Sequence, residues 1–180
     1  MRIQGHSRIA FTLVELLVVI AVIALLAGLI LGAAGGVRGQ AARNQAKAEI
    51  AGLEAALARF QTENGFFPGA TQANPANDLQ PSAYLTGGRV LFTNLLGRAT
   101  LSVTGTGGKS FLEPKARMVM TNSSPNYFVD PWGNAYGYYW DEVNGSSVYN
   151  KAAPDIWSTA GQKGTGSQTN QAKWICNWPN

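Results

Sequence analysis

Residues 16–37 carry no charged side chain. Folded as a helix at ~1.5 Å of rise per residue, that run reaches about 33 Å, enough to cross a hydrocarbon core of about 30 Å. A chain of 180 residues has room for one modest domain beside such a segment. So long a greasy run is hard to bury as a core helix in a domain of that size. Residues 1–10, MRIQGHSRIA, are short, polar and basic, and read as a leader. An ordinary secretory signal puts a small-residue cleavage site on the far side of its apolar core. Here the polar-to-apolar boundary comes first, and one acid, Glu15, sits just inside it. A lone carboxylate near the end of a membrane helix costs about a few kcal/mol if charged and unpaired, so Glu15 is expected to make a specific contact.

Arg38, Arg43 and Lys47 end the apolar run. Beyond them Ala46, Ile50, Leu53, Leu57 and Phe60 recur at helical spacing and form one stripe, with Lys47, Glu54 and Arg59 off it. Arg59 and Glu63 stand at i,i+4 and are expected to pair, and Asn64-Gly65 supplies a C-terminal stop. One long helix over residues 12–63 is therefore predicted, half in lipid and half packed on a soluble domain. Gly28, Gly32 and Gly36 have the small-xxx-small spacing that lets helix backbones approach closely in a membrane. Glycine also loosens a helix by about 1 kcal/mol relative to alanine, and the sequence leaves helix packing and local melting both open.

After Gly65 the texture is loop-like, with Pro68, Pro75 and Pro81. Clustered Val90, Leu91, Leu95 and Leu96 predict a short helix over 88–101. Residues 127–129, 135–140 and 147–149 are aromatic or β-branched and read as strands. Asn144-Gly145 between the last two is a hairpin signal. The tail, from 155–158 through a glycine-rich loop to 173–176, is expected to add no more than one further strand.

Composition narrows the function classes. The balance of 14 basic against 10 acidic residues includes Arg2 and Arg8 of the leader, too slight an excess for a nucleic-acid partner. Cys176 is the sole cysteine, so no intrachain disulfide or thiolate cluster forms. His6 is the sole histidine and lies before the apolar run, so a chain trimmed of its leader has no Ser-His-Asp or Cys-His arrangement. Asp141 and Glu142 are neighbours beside a turn signal and read as solvated loop residues rather than an acid/base pair. The chain is not expected to be an enzyme. Trp132, Trp140, Trp157, Trp174 and Trp178 are expected in the core and at turns, a glycan platform being the other reading.

Residues 10–20, AFTLVELLVVI, resemble the type IV pilin and type II secretion pseudopilin family, whose members have a basic leader and then F-T-L-[IV]-E-L opening a long apolar helix. The resemblance implies cutting between Ala10 and Phe11 by a prepilin peptidase and methylation of the new N-terminus. Ala10 stands where the family has Gly, and Gly32 lies about where many members have a proline. Residues 130–136, DPWGNAY, resemble the D-P-W-G-N-P-Y segment of major pseudopilins of the G type, and residues 155–161, DIWSTAG, their D-[IL]-[WY]-S-x-G region. Pro131, Gly133 and Asn134 also read as a turn feeding a strand from Ala135. G-type pseudopilins bind calcium in the loop after the second motif. In this chain Asp155 is the last acidic side chain and residues 162–173 bring no carboxylate, so Asp155 is a weak candidate ligand and no cofactor is expected. Residues 66–126 have no counterpart in the resemblance and read as an elaboration.

The expected fold is α+β: a long N-terminal helix, membrane-spanning in its first half, packed on a small antiparallel sheet with a loop-rich C-terminal region. The expected divisions are a leader (1–10), a transmembrane helix and filament core (11–37), an amphipathic helix (38–65) and an extracytoplasmic pilin-like domain (66–180). The resemblance implies a structural subunit of a secretion pseudopilus or a pilus-like filament. It would be held in a bacterial inner membrane by a single pass, its C-terminal domain in the periplasm or on an extracellular filament. Its implied partners are further copies of itself, a prepilin peptidase, minor pseudopilins and the assembly machinery. Glu15 is expected to accept the α-amine of Phe11 of a neighbouring subunit. The alternative is a membrane-tethered glycan-binding domain that does not polymerise.

Overall fold

The computed structural model describes residues 12–101, 108–162 and 169–179, with the side chains of 30–37 outside the description. The fold is α+β, a long N-terminal helix followed by short antiparallel strands and loops. Helix α1 spans Leu13–Asn64 without a break. The chain divides into two units, Met1–Gln40 and Ala41–Asn180, and α1 belongs to both.

In the first unit the described large apolar side chains of α1, from Leu13 to Leu29, are exposed all round. Among the described residues no helix is long and apolar enough to cross a membrane. The described apolar turns, 13–29, rise only about 25 Å at ~1.5 Å per residue, and the expected span runs on into 30–37.

In the second unit α1 buries the predicted stripe. Ala46, Ile50, Leu53, Leu57 and Phe60 are all buried, joined by Ala56, while Lys47, Glu54 and Arg59 face solvent. The helix ends as its sequence indicates, with Gly65 at φ 84° donating its N–H to the Gln61 carbonyl. A left-handed residue there satisfies an orphan carbonyl of the last turn at no Cβ cost.

The second helix, α2, is Leu85–Leu96, preceded by a 3-10 turn at Pro81–Tyr84. It starts and stops earlier than the predicted 88–101. Pro81 presets the entering turn, and Gly97, at φ 62°, ends the helix before Leu101. Leu91, Phe92, Leu95 and Leu96 are fully buried in the same core as the α1 stripe. Residues 66–126, expected to be an elaboration, thus carry part of the core itself.

Among the described residues the strands form two small antiparallel sheets. Strands β1 (Val119–Met120) and β2 (Tyr127–Phe128) make one. Strands β3 (Gly137–Tyr139), β4 (Asp155–Ser158) and β5 (Ile175–Cys176) make the other, in the order β3-β4-β5. Helix α2 packs on β2 and β3, and a Cβ on Gly87 would lie 2.6 Å from the Tyr138 carbonyl oxygen. The predicted hairpin is corrected. Residues 147–149 form no strand, and the Asn144-Gly145 turn closes on one bridge, Asp141 with Ser146. The Tyr149 and Asn150 amides turn instead to Asp155, whose strand takes the place beside β3.

Candidate functional site

The first described turn of α1 holds Glu15. Thr12 is its helix cap: the Thr12 hydroxyl accepts the Glu15 amide at 3.2 Å. Glu15 Oε2 in turn accepts the Thr12 amide at 2.9 Å and the Thr12 hydroxyl at 2.8 Å. This is a reciprocal capping box, T-x-x-E, which satisfies orphan donors at both residues. Charge and hydropathy single out Glu15 as a carboxylate in need of a partner and pass over Thr12. The signal is nonetheless in the sequence, since a hydroxyl three residues before an acid at the head of an apolar run is the signature of the box.

Ala10 and Phe11, the expected processing residues, lie outside the described residues. Gly28 is exposed, with nothing within 4 Å of a Cβ built on it. The surroundings of Gly32 and Gly36 lie outside the description.

The two C-terminal motifs meet in the second unit. Asp130 is 2% exposed, and its Oδ1 accepts the amides of Trp132 at 3.0 Å and Asn134 at 2.9 Å. With Gly133 at φ 86° this closes the predicted turn into Ala135. Asp130 Oδ2 accepts the hydroxyl of Ser158, on β4. Burial pushes the Asp130 carboxyl above its ordinary range, against the lowering effect of these three donors. Beside it, the Tyr136 phenol donates to Glu49 of α1 at 2.7 Å. Burial and the Glu49 carboxylate hold that phenol well above its usual range, so it stays protonated and a donor.

Asp155, the candidate calcium ligand, is fully buried. Its two oxygens accept the amides of Tyr149 and Asn150, at 2.9 and 2.8 Å. Burial raises its pKa against those hydrogen bonds. N–H donors suit a carboxylate and do not suit a cation that needs several oxygen ligands. Among the described residues no cluster of three or more His, Cys, Asp or Glu side chains could hold a metal, and 163–168 of the following loop fall outside them.

Four tryptophans are buried, Trp140, Trp157, Trp174 and Trp178, and Trp132 is partly so. Trp157 and Trp174 stack at 5.9 Å between ring centroids and 8° between planes, with Tyr84 edge-on to Trp157 at 5.0 Å. Side chains packed on one another in this way leave no tryptophan platform for a glycan. Asp141 caps its own turn, its carboxylate accepting the amides of Val143 and Asn144.

Residues 6–31 match the prokaryotic N-terminal methylation motif. No curated protein and no solved structure matches the chain. The match supports a type IV pilin-like leader of the kind a prepilin peptidase processes, and with it anchoring in a membrane through the N-terminal helix. The motif is one of structural rather than enzymatic proteins.

Proposed function

We propose that the chain is a structural subunit of a type II secretion pseudopilus or a type IV pilus-like filament. The observation that carries this reading is the methylation motif at 6–31 opening directly into an apolar helix whose sole charge before Arg38 is Glu15. An apolar surface exposed all round α1 from Leu13 to Leu29 asks for lipid before assembly and for other such helices after it. Gly28, Gly32 and Gly36 are the positions where those helices approach one another.

Removal of the leader between Ala10 and Phe11 creates an α-amine, and Glu15 of one subunit accepts that of its neighbour. Each charge satisfies the other in a low-dielectric filament core, a pairing that sets register more than it adds stability. The partners are a prepilin peptidase, further copies, minor pseudopilins and the assembly machinery. The chain crosses the bacterial inner membrane once, with its C-terminal domain in the periplasm or on the filament surface. A secretion pseudopilus of the G type is favoured over a surface pilus by residues 130–136 and 155–161, which the Ser158 to Asp130 hydrogen bond joins.

Mass spectrometry of the membrane-extracted protein tests the reading. The expected mature chain begins at methylated Phe11. An intact Met1, or a chain starting beyond Gly32, would sink it.

A further inference from the structure

Val143 is the most exposed large apolar side chain in the second unit, at 95%. It is held there by a locked turn. Asp141 Oδ1 accepts the amides of Val143 and Asn144, and Asp141 and Ser146 exchange backbone hydrogen bonds at 3.0 and 3.2 Å. A backbone fixed in this way loses little conformational freedom when the residue it carries is covered. Glu142, beside it, is exposed and has no ion pair among the described residues.

The same unit has a hollow that suits this tip. A cavity of about 230 Å³ lies over Leu57, Ala58, Phe67 and Ile156, and the surface continues past Ala58 to Arg59 and Thr62. Arg59 is exposed, and its expected partner Glu63 is instead taken by Lys109, which leaves Arg59 without an ion pair among the described residues. Glu54, on the other rim, is engaged by the Asn177 amide at 3.0 Å. One chain thus presents both an apolar tip with an acid beside it and an apolar hollow with an unpaired base beside it.

We infer that these patches bind each other between copies: Val143 of one subunit seats in the hollow beside Ala58 of the next, with Glu142 against Arg59. In the filament of the preceding reading successive subunits are related by a screw operation, which makes the contact heterologous. Each union leaves one free tip and one free hollow, so it propagates as an open array rather than closing as a dimer. The inference rests on the filament reading and adds to it a contact outside the N-terminal helix.

The test is disulfide trapping in the full-length protein in its native membrane, in a Cys176→Ser background. Chains carrying both Ala58→Cys and Val143→Cys are expected to give dimers, trimers and higher species on mild oxidation, and either single variant only monomer. Coexpression of the two single variants is expected to stop at dimers. Arg59→Glu is expected to lower the sedimentable, assembled fraction several-fold, and Glu142→Lys in the same chain to restore it. Assembled filaments that yield no trapped species, or Val143→Cys trapping to itself, overturn the contact and leave the filament reading standing. If the unaltered protein, processed at Phe11, never sediments as filaments, the filament reading fails and the contact with it.

Discussion

The Ser158 hydroxyl donates to Asp130 Oδ2 at 2.6 Å across 28 residues of chain, joining the turn before β3 to the central strand β4. Both residues are almost wholly buried, at 1% and 2% exposure. Asp130 serves three donors at once, so its loss strands the Ser158 hydroxyl and the Trp132 and Asn134 amides together. Leaving buried donors unpaired costs about 1–3 kcal/mol each, partly relieved by relaxation and water. Asp130→Ala is therefore expected to destabilise the domain by about 2–4 kcal/mol, and Ser158→Ala by less. Urea unfolding of the detergent-solubilised chain, followed by tryptophan fluorescence, measures both. Equal losses would show that Ser158 alone accounts for the effect.

Burial raises the Asp130 carboxyl above its ordinary 3.8, outweighing Ser158, Asn134 and Trp132, with Glu49 adding to the rise. The folded state thus holds this proton more tightly than the unfolded state does. Its contribution to stability is complete below the unfolded pKa and fades as pH rises through the folded one. Asp130→Asn removes that titration and leaves Asp155, raised in the same direction, in both proteins. The stability of the unaltered protein minus that of Asp130→Asn is expected to fall from acid to neutral pH. A difference that stays flat, or grows, from about pH 3 to 7 contradicts this.

Gly137, on β3, faces Trp157 across the strand pair. A Cβ there would lie 2.0 Å from the indole ring, which is fully buried and stacked on Trp174. The ring has no free direction in which to yield. Overpacking a core typically costs about 1–3 kcal/mol, occasionally more. Gly137→Ala is expected at or above the top of that range, visible as a lower thermal midpoint and altered near-UV circular dichroism. A control with open space, Gly52→Ala on α1, is expected to be neutral or mildly stabilising.

These packed aromatics also mark where the sequence is legible and where it is not. Helix α1 can be read because its stripe repeats over many turns, and Gly65 because a left-handed stop has few alternatives. Strand β4 shows no polar-apolar alternation, since all four of its residues are buried and both faces are covered. Strands of two to four residues offer little periodicity in any case. The Asn144-Gly145 signal correctly marks a turn. The course of the chain beyond that turn is set by a distant group, the Asp155 carboxylate that draws off the Tyr149 and Asn150 amides. The same limit applies to Glu63, which pairs with Lys109, 46 residues away, in place of its helix neighbour Arg59. At the N-terminal site Glu15 is evident from its charge, whereas Thr12 is easily passed over because a hydroxyl beside an acid draws less notice than the acid.

Thr12 separates the capping role that Glu15 has in this chain from the pairing role proposed for it. As a cap it needs an acceptor for the Thr12 amide and hydroxyl, and glutamine serves that place in a capping box nearly as well as glutamate. As the proposed partner of a neighbour's α-amine it needs a negative charge, which glutamine lacks. Glu15→Gln is therefore expected to keep the helix start and abolish assembly. Thr12→Ala is expected to cost about 1 kcal/mol of cap energy and lower assembly only in part. Thr12→Ser, which keeps the hydroxyl, is expected to behave as the unaltered protein does. The readout is the sedimentable filament fraction at equal membrane abundance of processed subunit. If Glu15→Gln assembles normally while Thr12→Ala does not, the cap is what the filament requires and the charge pairing assigned to Glu15 is wrong.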